Sequence, residues 1–362
     1  MIPSKNILYV GPYKEESNRG YYSYMNIKAL EKTGHKIRII PLFSYHYLNN
    51  KISKDIEHLE NTVLDKYEIC IQHCHPIQYT YNSVFEKNIG IYDFANFDPN
   101  PIINSHFLLL DKIVVNSPNK LEILAEVLSA GLYSKIQYCP QLIDLNNIVH
   151  NERKKLNWID RDRFYFYSDL DFSEQYDWEK LIYVYLTNFM DKNTGLIIKT
   201  KNLDEEKIRL IKKQIYDMAS EAKVKNIPEA MPQVLNGVYD KDEISKIHNS
   251  VNCLIDVNKA NEISYSSLYF AALNKPIICN SKLATASYFT GAFKVDGMVC
   301  NSSMVYYEDI MNNSMHNYYY SINSEDLRDL MRAVYEDRYN GSRNYYENEL
   351  EQYDITQINN LL

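Results

Sequence analysis

Short apolar runs alternate with amphipathic stretches along this chain. Ile7-Leu8-Tyr9-Val10 reads as a buried strand, a loop follows over 11–19, and Tyr22, Met25, Ala29 and Leu30 then share one face of a helix over 20–32. Thr33-Gly34 stops that helix, and residues 37–42 resume strand character, which completes a βαβ unit. The same pattern predicts strands at 67–72, 89–92, 113–116 and 136–139 and a helix over 119–130. Strands separated by helices imply a parallel sheet with right-handed crossovers, so a first domain spans 1–145.

Residues 146–163 carry many charges and Asn but little apolar periodicity, and they predict a linker. A second alternation follows, with strands at 164–167, 196–199, 253–257 and 276–279 and helices over 177–190, 205–221, 240–249, 265–273 and 325–339. The second domain therefore spans 164–340, and residues 341–362 read as a helical tail that packs back on the first domain. Two doubly wound, Rossmann-like α/β domains in tandem predict a cleft between them, with ligands at the carboxyl ends of the strands. A length of 362 residues agrees with two domains at roughly 150 residues each.

Composition narrows the picture without naming a chemistry. With 45% hydrophobic and 24% charged residues the chain matches soluble globular proteins, and its apolar runs are far shorter than the roughly 20 residues of a membrane span. The opening Met1-Ile2-Pro3-Ser4-Lys5 leads almost directly into a strand with no signal-peptide pattern, and the six cysteines form no paired framework; both predict a cytoplasmic setting. A formal charge of −8 leaves no whole-chain basic footprint for nucleic acid, although a local patch remains compatible with it. The 33 Tyr against 10 Gly could serve sugar or base stacking, or follow from AT-rich coding, since Asn, Lys and Ile are also plentiful.

The order of motifs resembles the GT-B glycosyltransferases, in particular the large retaining family of sucrose-phosphate synthase-like and mannosyltransferase-like enzymes (GT4-like). The stretches that carry it are Ile7-Leu8-Tyr9-Val10-Gly11-Pro12 with Ser17-Asn18-Arg19-Gly20-Tyr21, Ile71-Gln72-His73-Cys74-His75-Pro76, and Asp111 to Ser117. Cys139-Pro140-Gln141-Leu142-Ile143-Asp144, Gly195 to Thr200 and the run from Ile255 through Glu262 to Pro276-Ile277-Ile278 complete it. Short, divergent motifs and AT-rich composition are similar to viral members. Gly11 and Gly20 flank the first loop, where backbone N–H groups and a helix N-terminus can approach an anion or sugar hydroxyls, or form an ordinary turn.

The resemblance implies that the helix opening with Tyr265, Ser266 and Ser267 faces the donor diphosphate, and that an acidic pair eight residues apart handles sugar and ribose. Glu262 supplies the first acid, one place beyond Asn261, while Tyr269 stands where the second is expected. The family also places an Arg and a Lys after the first strand of the second domain to neutralise the leaving diphosphate. Here Gln175 and Tyr176 stand at that register, with Lys199 and Lys201 the nearest cations in sequence. A relocated cation, a shifted register and a chain that no longer turns over all fit this departure.

In the first domain, His73 and His75 alternate at a strand end and could share one side of the pleat. With Cys70 and Cys74 they invite a zinc reading, but no second ligand pair follows. The register of the family's sugar-contacting His falls on Asp93. Asp93 or His75 would then hold the sugar or accept the acceptor proton, with a helix cap as the plain alternative for Asp93. The basic run Arg153-Lys154-Lys155, and Lys207, Arg209, Lys212 and Lys213 on one helix, read as solvated faces or as a strip for a polyanionic acceptor.

The resemblance thus implies a retaining, metal-independent transferase that takes a nucleotide-diphosphate sugar, UDP-sugar favoured, as co-substrate without a bound cofactor. It passes a hexosyl or pentosyl group to a hydroxyl on a glycan, small molecule or modified DNA. Two alternatives stand beside it. One is a viral-type enzyme that glycosylates hydroxymethylpyrimidine DNA in the host cytoplasm, with Arg161 and Arg163 joining the basic strip. The other is a non-catalytic sugar-nucleotide or glycan-binding module.

Overall fold

The computed structural model describes residues 4–42, 53–93, 101–146, 148, 156–160, 162–201, 203–224, 231–260, 262–300, 319–337, 344–346 and 349–362. The chain forms two compact units: Met1–Leu145 with the C-terminal Glu349–Leu362 in one, Asn146–Cys300 with Tyr319–Asn348 in the other.

In unit 1, β1 (Asn6–Gly11), β2 (Lys36–Pro41), β3 (Ile69–Gln72), β4 (Lys87–Tyr92), β5 (Lys112–Val115) and β6 (Ile136–Tyr138) form one sheet in the order β2-β1-β3-β4-β5-β6, with every pairing parallel. Ile- and Val-rich runs form these strands because branched side chains suit a sheet buried on both faces; all four residues of both β3 and β5 are buried. Helix α1 (Asn18–Lys32) starts at Ser17, whose hydroxyl accepts the Gly20 N–H at 3.0 Å, and stops before Gly34, which takes φ +86°. α2 (Pro101–Leu108), α3 (Pro118–Val127) and α4 (Ala130–Tyr133) come next. The single helix expected over 119–130 is broken: Leu128 turns extended and Ser129 caps the next turn through Leu132 N–H.

Unit 2 repeats the plan. β7 (Phe164–Asp169), α5 (Trp178–Asn188), β8 (Thr194–Thr200), α6 (Glu205–Glu221), β9 (Gln233–Asn236), α7 (Lys241–Ser250), β10 (Cys253–Asp256), α8 (Tyr265–Ala272), β11 (Ile277–Asn280), α9 (Ala284–Tyr288) and β12 (Phe293–Val295) build a parallel sheet in the order β12-β11-β10-β7-β8-β9. An antiparallel pair, β13 (Gly297–Cys300) and β14 (Tyr319–Ile322), precedes α10 (Ser324–Asp337). Leu181, Ile182 and Tyr185 of α5 and Leu327, Met331 and Val334 of α10 pack with the sheet in one core. α6 buries only Ile211, Ile215 and Ala219, one residue per turn, so it lies on the surface.

The tail departs from the expected helix. Residues 344–346 are not helical, and the chain ends in two 3₁₀ segments, Glu351–Tyr353 and Ile355–Leu361. At their junction Ile143 takes backbone hydrogen bonds as in a strand, donating to Tyr353 C=O at 2.7 Å and accepting from Ile355 N–H at 3.1 Å, which interrupts helix at Asp354. No helix among the described residues is long and apolar enough to cross a membrane.

In each sheet the strand order reverses direction once, between β1 and β3 and between β7 and β10. Loops leave such a point on opposite sides, so the strands' carboxyl ends open there to a ligand.

Candidate functional site

The carboxyl ends at the unit 1 reversal carry a buried polar chain. His73 follows β3 and Asp93 follows β4; the His73 Nε2 lies 2.7 Å from Asp93 Oδ2, and its Nδ1 lies 3.0 Å from the Tyr9 hydroxyl. Asn26 on α1 extends the chain, donating to that hydroxyl at 3.5 Å. On the other side, Arg19 in the first turn of α1 places Nε 3.3 Å from Asp93 Oδ1, and Lys120 on α3 donates to the Asp93 carbonyl at 2.7 Å and to Asn116 Oδ1 at 3.0 Å. Burial by itself would raise the Asp93 pKa. The charges of His73 and Arg19, the His73 hydrogen bond and Lys120 outweigh it and hold the carboxyl far below the ordinary carboxylate range.

Gly11 and Gly20 have packing reasons. A Cβ on Gly11 would come 2.7 Å from Ser23 Oγ and 2.8 Å from Tyr9 Cε1, and one on Gly20 would overlap the Glu15 carbonyl oxygen. They let the 12–17 loop close onto α1 beside His73. His75 parts from His73: it caps the short 3₁₀ turn Pro76–Gln78, its Nδ1 accepting the Ile77 N–H at 3.4 Å and its backbone N–H donating to Gln78 Oε1 at 3.2 Å. The two histidines therefore do not act on one face. Burial pushes the Cys70 thiol up to about 11 and that of Cys74 up to about 12, and among the described residues no group of three or more His, Cys, Asp or Glu is placed to hold a metal.

Unit 2 carries a second chain at its own reversal. Lys199, on the buried strand β8, sets Nζ 3.4 Å from Asp169 Oδ1 at the end of β7. The other oxygen, Oδ2, accepts the Ser266 hydroxyl at 3.0 Å from the first turn of α8, and Ser266 Oγ lies 3.2 Å from His248 Nε2 on α7. With the Ser266 hydroxyl donating to Asp169, His248 donates to Ser266 Oγ through Nε2–H; its buried Nδ1 has no hydrogen-bond partner among the described residues. Burial first, then the charges of Lys275 and Lys199, push the His248 pKa well down, so the ring is neutral at pH 7.

The expected donor residues divide here. Lys199 and Ser266 meet on one carboxylate. Glu262 sits half-buried just ahead of α8. Tyr265 is half-buried in the first helical turn, 6.2 Å ring to ring from Tyr269. Tyr269 itself turns into the core: it is buried, its phenol shares a 2.5 Å hydrogen bond with Ser245, and its ring lies 4.8 Å from His248. Lys201 is paired as well, 3.5 Å from Asp171. Tyr176 lies among carboxylates: burial, then the charges of Asp171, Glu262, Asp169 and Asp256, push its phenol well up. Asp256, ending β10, accepts Thr285 Oγ1 at 2.8 Å, yet burial still raises its carboxyl pKa.

Of the basic strip, Arg153, Lys154, Lys155 and Arg161 lie outside the described residues, as does Asn261. Arg163 spends its Nε–H on the Thr194 carbonyl. Lys207, Arg209, Lys212 and Lys213 are exposed.

No family model and no curated protein matches the sequence. Solved structures do match. Sucrose-phosphate synthase from Thermosynechococcus elongatus aligns over 98% of this chain and 96% of its own, at 11% identity and TM-score 0.66. Anabaena HepE in complex with UDP-glucose aligns over 98% and 97%, at 10% identity and TM-score 0.65. The α,α-trehalose 6-phosphate synthase from Burkholderia multivorans aligns over 99% and 98%, at 8% identity and TM-score 0.66. At these identities the likeness is one of fold, and the fold is that of the GT-B glycosyltransferases.

Proposed function

We propose that this protein is a glycosyltransferase that moves a sugar, with retention of configuration, from a nucleoside diphosphate donor of the uridine type to a hydroxyl acceptor. One observation carries the reading: at the unit 2 reversal, Lys199 of β8 and the Ser266 hydroxyl from the first turn of α8 converge on one anionic group, the Asp169 carboxylate at the end of β7. They do so in a chain whose whole length follows the fold of proteins solved with UDP and UDP-glucose.

The chemistry follows from charge. Breaking the glycosidic bond to a diphosphate leaves negative charge on the leaving oxygen. A fixed ammonium, a hydroxyl donor and the positive end of α8 stabilise it where it develops. With these groups the transfer needs no bound metal. Glu262 supplies acceptor oxygens for sugar or ribose hydroxyls, and Tyr265 a ring beside them. In unit 1, Gly11 and Gly20 keep the loop close to Asp93, which is held ionised and serves as an acceptor for a sugar hydroxyl. Its low pKa makes it a weak base, so the leaving phosphate is the group that takes the acceptor proton. His75, spent on its own turn, drops out of the reaction.

The test is a thermal-shift series with UDP, GDP, ADP and uridine, followed by donor consumption. UDP should raise the melting temperature most, and a UDP-sugar should be consumed. If no nucleoside diphosphate shifts melting and no donor is consumed, the reading fails. A second reading, a binding module without turnover, draws on the carboxylate partners of Lys199 and Lys201 and on the inward turn of Tyr269. A UDP shift with no donor consumed would select it.

A further inference from the structure

Lys199 is not presented to solvent as a bare cation. Its side chain is 6% exposed and rests 3.4 Å from Asp169, whose side chain is 34% exposed. Neutralisation extends outward, since Lys201 is matched by Asp171. A buried ammonium without a counter-charge is costly, so a site built to hold an anion on Lys199 needs a stand-in while it is empty. Asp169 has the contacts of such a stand-in: one carboxylate oxygen on the ammonium, the other on the Ser266 hydroxyl, whose own oxygen is set by the buried His248. Lys199 and Ser266 are also the two donors that would serve the diphosphate. The fixed partner is the buried base and the more exposed partner is the acid, so the acid is the one free to leave.

We propose that Asp169 is the resident counter-ion of the donor site: its carboxylate holds the place of the donor diphosphate, and the donor binds by exchanging with it on Lys199 and Ser266. This rests on the donor reading, because it takes that site as its premise. Exchange keeps Lys199 compensated before and after binding, and affinity for a diphosphate is then set by competition inside the protein. Nucleosides without phosphate do not compete and are insensitive to Asp169.

The test is calorimetry of UDP, uridine and inorganic diphosphate with the wild-type protein, Asp169→Asn, Lys199→Gln and the double variant. Asp169→Ser keeps a hydroxyl for Ser266 and replaces the amide variant should that one fail to fold. Asp169→Asn should bind UDP and inorganic diphosphate roughly tenfold tighter than wild type, with uridine unchanged, and the gain should vanish when Lys199→Gln is added. A gain that persists without Lys199, or UDP binding that is unchanged or weaker in both Asp169 variants, overturns the exchange. If UDP binds no better than inorganic diphosphate while both gain from Asp169→Asn, the nucleotide-sugar reading falls and the exchange stands. Absence of any diphosphate binding in all variants overturns both.

Discussion

The two strand reversals carry the same kind of pair, a carboxylate with a cation, but bury opposite members. In unit 1 the Asp93 side chain is 4% exposed and Arg19 is 17%; in unit 2 Lys199 is 6% exposed and Asp169 is 34%. The buried member is the fixed one, because it cannot find water to replace its partner. Unit 1 therefore presents a permanent carboxylate, suited to neutral hydroxyls. Unit 2 presents a fixed cation whose partner can be exchanged, suited to an anion.

Asp93→Asn gives the sharpest test of that contrast. It leaves His73 and Arg19 facing a neutral amide in a buried place, and a loss on the order of 3–5 kcal/mol is expected in chemical denaturation. A loss below about 1 kcal/mol would mean that the unit 1 pair is no different in kind from an exposed one.

Gly20→Ala should cost about 1–3 kcal/mol, because the Glu15 carbonyl must move and with it the loop that seats Arg19. A neutral outcome would show that the loop gives way and that Arg19 is not held by it.

The pH dependence separates His248 from Asp93 further. His248 has a depressed pKa in the folded protein and about 6.5 when unfolded, so its neutral form stabilises the fold above that value, and the contribution is lost as pH falls below it. His248→Gln should flatten the loss of stability otherwise seen as pH falls from about 7 towards 5. The Asp93 contribution, from a lowered carboxyl pKa, is present above about pH 4 and lost only below it, so Asp93 does not confuse this window. An unchanged pH profile in the variant would exclude His248 as the group responsible.

Tyr269→Phe removes one buried hydrogen bond to Ser245 and should cost about 1 kcal/mol while leaving UDP affinity intact. A large loss of UDP affinity would place the phenol on the ligand, against its inward position.

Much of the frame is legible in the chain. Ile- and Val-rich runs announce the parallel strands, and Asp240 caps α7 where the periodicity starts that helix, whereas Ser17 caps α1 inside what reads as a loop. Strands β9 and β12 escape a reading by periodicity because Gln233–Asn236 and Phe293–Val295 are too short and mixed to carry a period. The helix α2 and the 3₁₀ segment Lys54–Asn61 escape it as well. In the sites, motif order points to Lys199 and Ser266 but not to Asp169, which lies just beyond the apolar run of its strand. His248 gives no local signal inside an ordinary amphipathic helix. His73 is legible only as a polar residue at a strand end; the zinc pattern it forms with Cys70 and Cys74 lacks a second ligand pair, and its pairing with Asp93 is visible only in the structure.

By itself the sequence determined the alternation of strands and helices, the two-unit plan and the order of motifs, because these follow from local periodicity and capping. Which carboxylate meets which cation was decided by tertiary structure alone: Asp169 meets Lys199, 30 residues away, and Ser266, 97 residues away, only because β7 lies between β8 and β10. Burial then assigns the roles, since the depth at which each partner sits is set by packing and not by residue type.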